Sequence, residues 1–216
     1  MQTIHTTLRS LSPYSQSRPH CEPKLAKELP DSHEARTWHH RLHVKDGQVV
    51  MPSNSIRNAL AEAAKYLSIQ IPGKGKATYT KHFESGVLVT QDAPLFTHSG
   101  SPIVPPSELG LRRVLCKSPQ SPIEDEEAVS YLPPVNEAFG DWVYVPSDGI
   151  RGSGKRVWKC YPVMSEWQAS FEFLIVDEMI TKDVFMKVLK EAGVLIGLGR
   201  FRVRNCGTYG RFEVVE

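Results

Sequence analysis

Paired cysteines are missing from this chain. Its four cysteines, Cys21, Cys116, Cys160 and Cys206, are scattered with no C-x-x-C spacing. That excludes a zinc knuckle and a disulfide framework and fits a reducing, cytoplasmic setting. Long apolar runs are missing too. No stretch is long enough to span a bilayer, and the N-terminal residues through His20 alternate polar and apolar without the apolar centre of a signal peptide, so the chain reads as soluble and unexported. Nor is there much net charge: 26 Lys and Arg against 24 Asp and Glu give a formal +2, which excludes a generally sticky polycation. What is present is enough apolar residue, 40% of 216, for one sizeable core with an appended subdomain. The charge is segregated. Residues 91–145 are acidic and carry Glu124-Asp125-Glu126-Glu127, whereas 149–161 and 195–211 hold basic residues and no acid, a pattern that favours local anion binding.

The most pointed of these basic segments is Gly197-Leu198-Gly199-Arg200-Phe201-Arg202-Val203-Arg204, followed by Gly207-Thr208-Tyr209-Gly210-Arg211-Phe212. Glycine lets a backbone turn sharply, and arginine at every second residue places cations on one face of an extended segment. Phosphates would then meet Arg200, Arg202 and Arg204, with Phe201 or Tyr209 free to stack on a base or to pack inward. The alternative for the same residues is a glycine-bounded hairpin whose arginines solvate its outer face.

Along the chain, Ile4 to Leu11 alternates as a strand does, and residues 12–37 read as a long polar loop. Trp38 to Val44 and Gln48 to Met51 flank Asp46-Gly47, the dipeptide of a tight hairpin turn. Ile56, Ala59, Leu60, Ala63, Ala64 and Leu67 recur at helical steps, with Ser53 or Ser55 as N-cap and Pro72-Gly73 beyond the end. Val87 to Thr90 is a short strand, followed by an irregular acidic, Pro/Ser-rich insertion over 91–141. Trp142 to Val145 and Val157 to Met164 are strands around a basic loop, and Ala169 to Val176 is a strand with Ala169, Phe171, Phe173 and Ile175 on one side. A second helix begins at Thr181 as N-cap, buries Val184, Phe185, Val188 and Leu189, and ends with Gly193 as the left-handed C-terminal residue. Strands over Leu195 to Val203 and Tyr209 to Val215 complete the chain. Without its insertion the order approximates β-α-β-β-α-β. That is an α+β, ferredoxin-like or RRM-like antiparallel sheet with two helices on one face and the other face free to bind. Residues 1–90 form the first part of this core, 91–141 the insertion, and 142–216 the second part with its basic loop and C-terminal Gly/Arg-rich hairpin.

Two separated motifs extend the likeness to a family. Val50-Met51-Pro52-Ser53-Asn54-Ser55-Ile56-Arg57-Asn58-Ala59-Leu60 is similar to the "I-P-G-S-S-L-K-G-A-L-R" element that opens the first helix in the RAMP superfamily of RRM-like CRISPR-associated proteins. Gly197-Leu198-Gly199-Arg200 with Tyr209-Gly210-Arg211-Phe212 resembles that superfamily's "G-x-G-x-x-R-x-x-G-F-G-R" loop. Asn54 and Asn58 stand where the family motif has glycines, and Val203 to Thr208 expands the loop, so the resemblance implies a divergent member. It implies RNA binding in antiviral defence, as a backbone subunit of an effector complex that self-assembles along the strand. Guide-processing endoribonucleases, the other branch, carry two such domains in tandem. A phage or mobile-element protein with the same fold, binding single-stranded DNA or blocking an effector, is a further alternative.

Three basic elements are then expected to share one groove. Arg57 stands at a helix start, where unpaired N–H groups favour phosphate. Lys74, Lys76 and Lys81 follow around Gly73 and Gly75, and Arg151, Lys155, Arg156 and Lys159 surround Trp158, cations beside an aromatic as single strands require. Gly149-Ile150-Arg151-Gly152-Ser153-Gly154-Lys155 has the spacing of a nucleotide-binding P-loop, but Arg156 occupies the Ser/Thr position and an extended segment ending at Pro162 follows, which excludes NTP hydrolysis. His33, His39, His40 and His43 make no compact metal site if 38–44 is a strand, because His39 and His43 share a face and His40 points away. One of His39, His40 or His43 is the candidate general base if RNA is cut. Asp46 is explained by its turn. No cofactor or metal is expected, and Glu124 to Glu127 would repel phosphate, which assigns the acidic insertion to protein contacts.

Overall fold

The computed structural model describes residues 1–150, 152 and 154–215. In chain order its elements are β1 (Gln2–Ser10), β2 (Tyr14–Ser15), α1 (Pro30–Thr37), β3 (Val44–Lys45), β4 (Gln48–Met51), α2 (Ser53–Leu67), α3 (Thr80–Ser85), β5 (Val87–Val89), β6 (Ala93–Pro94), α4 (Glu108–Cys116), α5 (Glu126–Ser130), β7 (Phe139–Pro146), β8 (Arg156–Met164), β9 (Gln168–Ile175), α6 (Lys182–Glu191) and β10 (Phe212–Val215). They form two compact units. The first comprises Met1–Tyr14, Val50–Pro102 and Ser165–Glu216, the second Ser15–Val49 and Ile103–Met164. Among the described residues no helix is long and apolar enough to cross a membrane.

The first unit is built on an antiparallel sheet in the order β10-β1-β9-β5. Period-two alternation places Ile4 and Leu8 of β1 on the same buried face as Ala169, Phe171, Phe173 and Ile175 of β9. Phe173 meets Phe185 of α6 at 5.0 Å between ring centroids, and Phe185 stacks on Phe83 of α3. Both principal helices form where the apolar periodicity puts them. The stripe of α2 is Ile56, Ala59, Leu60, Ala63 and Ala64; that of α6 is Phe185, Val188 and Leu189, with Thr181 accepting from the Val184 N–H as N-cap.

The helix ends differ from expectation. Neither Ser53 nor Ser55 caps α2 with its side chain; the Ser53 N–H donates instead to Asp92 Oδ1 at 2.8 Å. Gly193 is not a left-handed terminator. It lies in a π-helical turn, Ala192–Ile196, and is needed for close packing, since a Cβ there would stand 2.1 Å from the Phe212 carbonyl oxygen. The strand expected from Leu195 to Val203 is therefore replaced by this turn and a loop.

The second unit packs α1 and α4 beside the β7–β8 hairpin around Ala35, Trp38, Val114 and Cys160, with Leu111, Leu115 and Trp142 against them. Here the sequence reading missed most. Residues 30–37, read as loop, form α1, and Trp38–Arg41, read as strand, is a 3₁₀ turn. The insertion contributes helices α4 and α5. The β3–β4 hairpin is as expected, with Asp46 and Gly47 both at positive φ, 51° and 76°.

Candidate nucleic-acid interface

The cations expected to share one groove belong to two units. Arg57, Lys74, Lys76, Lys81, Arg200, Arg202 and Arg204 lie in the first; Lys155, Arg156, Trp158 and Lys159 lie in the second. Arg151 lies outside the described residues.

In the first unit the start of α2 is already neutralised by Asp92, and Arg57 donates from Nη2 to the Glu84 carbonyl at 3.2 Å. A carboxylate thus occupies the place assigned to phosphate, which corrects the reading of that helix start. Lys74 and Lys76 are exposed in a loop folded back by the Ile71 N–H to Ala77 O bond, with Gly73 and Gly75 at positive φ. Lys81 is exposed on α3.

The C-terminal arginines do not alternate along an extended face. Phe201 and Cys206 take left-handed conformations, and Val203–Asn205 is a 3₁₀ turn. Arg202 and Arg204 converge on one carboxylate of α2, Glu62, at 2.9 and 3.2 Å. Arg204 also lies over the Tyr66 ring and Arg200 over Phe201. Glycine is required at Gly210, where φ is 75° and a Cβ would stand 2.0 Å from the Leu198 carbonyl oxygen.

The sheet face away from the helices has no stacking platform. His5 pairs with Glu172 at 3.6 Å and Thr7 with Ser170 at 2.9 Å, flanked by Arg9 and Gln168. Among its described residues there is no Phe, Tyr or Trp, and its imidazole, His5, is paired with Glu172, so this face lacks the paired aromatics with which RRM sheets hold bases.

The second unit supplies the aromatic site. Tyr144 and Trp158 face each other across the β7–β8 ladder, ring centroids 5.0 Å apart. Two residues along the same face, Trp142 and Cys160 belong to the core and fix this pair's orientation. Beyond it Arg156 lies 5.8 Å over the Tyr144 ring, and Lys155 is exposed. Tyr144 itself is 50% exposed. Its partnership with Trp158 needed the hairpin register, which the sequence does not display. Lys159 points to the opposite face and pairs with buried Glu34, which also accepts from Arg41 at 2.9 Å. It is therefore a cation of the fold rather than of an anion site.

The histidines cluster, but not on a strand. His39 stacks against His40 at 4.2 Å between centroids, and His20 lies 5.9 Å from His40 and 6.3 Å from His33. Burial is the main cause that pushes His39 down to about 4. The His43 main-chain N–H donates to Gln16 Oε1. Among the described residues no group of three or more His, Cys, Asp or Glu is placed to hold a metal.

Two histidines outside this cluster have oriented partners. His82 Nδ1 is 2.6 Å from Asp177 Oδ2, and that hydrogen bond is the main cause holding the Asp177 carboxyl below its ordinary range. This leaves Nε2 directed away from the dyad, the arrangement of a general base. His82 and Asp177 are too far apart in sequence for any local signal to join them. His98 Nε2 is 2.8 Å from Ser10 Oγ, and Nδ1 is 3.5 Å from Glu166. That order resembles a nucleophile relay, but Ser10 is buried and its Oγ already accepts from the Trp167 N–H, so the group ties strands together. No protein-family model matches the chain, and no curated protein is significantly similar to it.

Proposed function

We propose that the protein binds single-stranded nucleic acid, RNA by preference, with Tyr144 and Trp158 of the second unit stacking on bases and Lys155 and Arg156 beside them meeting phosphates, and with Lys74, Lys76 and Lys81 of the first unit forming a phosphate-contacting cluster of their own. The observation that carries this reading is the pairing of exposed Tyr144 with half-buried Trp158, with Arg156 over the Tyr144 ring, an aromatic surface edged by cations. The strand order β10-β1-β9-β5, with α2 and α6 on its packed side, supports a ferredoxin-like first unit. With the resemblance of its two motifs, it favours a divergent RAMP-type backbone subunit that assembles with copies of itself in the cytoplasm. Recognition is through phosphate, so sequence preference is low. Titration of a short labelled single-stranded RNA against salt tests this: the two phosphate contacts at the hairpin give a slope of about −1.4 in log K against log salt. Trp158→Ala, checked for folding, loses about 1–3 kcal/mol of binding. A salt-independent affinity, or one unchanged in both Trp158→Ala and Arg156→Ala, refutes the reading.

A second reading, metal-independent endoribonuclease, is favoured by the His82–Asp177 dyad rather than by His39, His40 or His43. It requires RNA turnover in the presence of a chelator that His82→Ala abolishes without loss of binding. Equal affinity for single-stranded DNA, with no turnover, favours the DNA-binding or effector-blocking alternative.

A further inference from the structure

We propose that the pocket between α4 and the start of β7 binds a small carboxylic acid with an aromatic body, its carboxylate held by Arg113 and Lys117. The pocket belongs wholly to the second unit and has a volume of about 340 Å³, at the small end of the range for ligand sites, about 300–1,000 Å³. Its two sides follow from the sequence. Gly110, Arg113, Val114 and Lys117 recur at steps of three and four along α4 and its C-cap, so they share one face of the helix. Phe139 to Trp142 come from β7, the outer strand in the order β2-β8-β7. At a sheet edge both faces of a strand are within reach of one ligand, which is why four consecutive residues line the pocket.

Arg113 is the group that calls for an anion. Its Nε is buried without a hydrogen-bond partner, a polar group that the fold itself leaves unsatisfied. Arg41 has an unpartnered Nε as well, but its Nη2 donates to Glu34. The carboxylates around α4 are engaged elsewhere, Asp125 and Glu127 with Arg112, and Glu137 with Ser107 and Tyr131. Among the described residues neither Arg113 nor Lys117 forms an ion pair. The end of a helix ordinarily repels an anion. Here its carbonyls are covered: Arg113 O accepts from the Lys117 N–H at 3.2 Å, Val114 O from the Trp142 indole N–H at 3.3 Å, and Leu115 O from the Ser118 N–H at 3.2 Å.

The lining selects the ligand. Asp141 also lines the pocket, so with the two cations it leaves one net positive charge. A carboxylate matches that charge, whereas a phosphate monoester, about −1.5 to −2 at neutral pH, exceeds it. A phosphodiester has the right charge but carries a polar sugar on either side, and the walls here are apolar. Pro133, Phe139 and Trp142 are each half-buried, and a flat ring laid between them removes their remaining apolar surface from water. The Trp142 ring is held in place for this, since its N–H is bonded to Val114 and it packs against the core of Ala35, Trp38, Val114 and Cys160.

The test is isothermal titration calorimetry of the full chain with phenylacetate, compared with neutral phenylacetamide and with adenosine monophosphate. Saturable binding of phenylacetate is expected, weakened at least about ten-fold in Arg113→Gln, which removes a charge-assisted hydrogen bond. Lys117→Glu, at an exposed position, is expected to weaken it similarly, and decides the matter if Arg113→Gln fails to fold. Absence of saturable binding at millimolar phenylacetate overturns the proposal, as does equal binding of phenylacetamide or an affinity unchanged in the folded variants. Tighter binding of adenosine monophosphate that Arg113→Gln weakens overturns it in favour of a nucleotide pocket.

Discussion

Glu34→Gln is the substitution that most directly separates cations of the fold from cations of an interface. The Glu34 side chain is 5% exposed, with Arg41 at 2.9 Å and Lys159 on its other oxygen. Arg41 is itself mostly buried, its guanidinium 5.1 Å over the Tyr161 ring. The isosteric amide keeps the volume but leaves two cations around a neutral group that accepts from only one of them well. Removing one partner of a buried ion pair costs about 3–5 kcal/mol. Lys159 is 34% exposed, so water screens its share to that of a surface pair, ~0–1 kcal/mol. The expected loss is therefore about 2–4 kcal/mol, most of it from stranded Arg41. For a chain of this size that lowers the melting midpoint by roughly 5–15 °C. Urea unfolding followed by tryptophan fluorescence should show a lower midpoint with an unchanged slope, and single-strand affinity of the folded protein should not change. A loss below about 1 kcal/mol would show that Glu34 is effectively solvated and that Lys159 is free to serve phosphate after all.

Gly210→Ala should cost at least about 2 kcal/mol in thermal unfolding, because positive-φ strain adds to a main-chain clash, whereas Gly73→Ala, with open space around it, should cost about 1; equal losses would contradict the packing given for Gly210. Arg156→Ala should weaken oligonucleotide binding and make its salt dependence shallower, while Lys159→Ala should lower stability and leave that dependence alone; the reverse order would exchange their roles. Acid unfolding should proceed in two windows. His39 is held neutral down to about 4 while the unfolded chain takes its proton from the ordinary 6.5, so stability falls as pH falls from 6.5 to 4, and His39→Gln should flatten that limb. Glu28, held at about 2 by its hydrogen bond from Arg36, contributes stability above its ordinary 4.5 that is lost from 4.5 toward 2, and Glu28→Gln should flatten only this lower limb.

What the sequence made legible was whatever apolar spacing encodes. α2, α6 and β9 each bury a stripe that repeats at the period of its element, so neither distant partners nor turns were needed to place them. α1 escaped because its buried residues are Asp31, Glu34, Ala35 and Thr37, a polar face with no apolar rhythm. Its partners are remote: Asp31 accepts from the Ser118 and Ser121 hydroxyls at 2.6 and 2.8 Å and from the Gln120 N–H. The C-terminal segment misled for a related reason. Arginine at alternate positions implies one face only if the chain is extended, and left-handed Phe201 and Cys206 are conformations that neither residue type announces.

The same distinction governs the candidate site. A sequence displays cations but not the carboxylates that hold them, and the two determine together whether a phosphate can be met. For Lys74, Lys76 and Lys81, and for Lys155 and Arg156, exposure on the folded surface agrees with the glycine-rich or polar segments that carry them. Arg202 and Arg204 must give up Glu62 to bind phosphate, an exchange of one charge-assisted pair for another with little net gain at a half-exposed site. Lys159 would leave Glu34 buried with only Arg41 to balance it, a penalty larger than a solvent-screened phosphate contact returns. Stacking adds what charge alone does not supply. Tyr144 and Trp158 lie on a ladder anchored by Trp142 and Cys160, so little side-chain freedom would be lost if a base were to stack there, and among the described cations and aromatics the hairpin is where the proposed binding of a single strand would be least opposed.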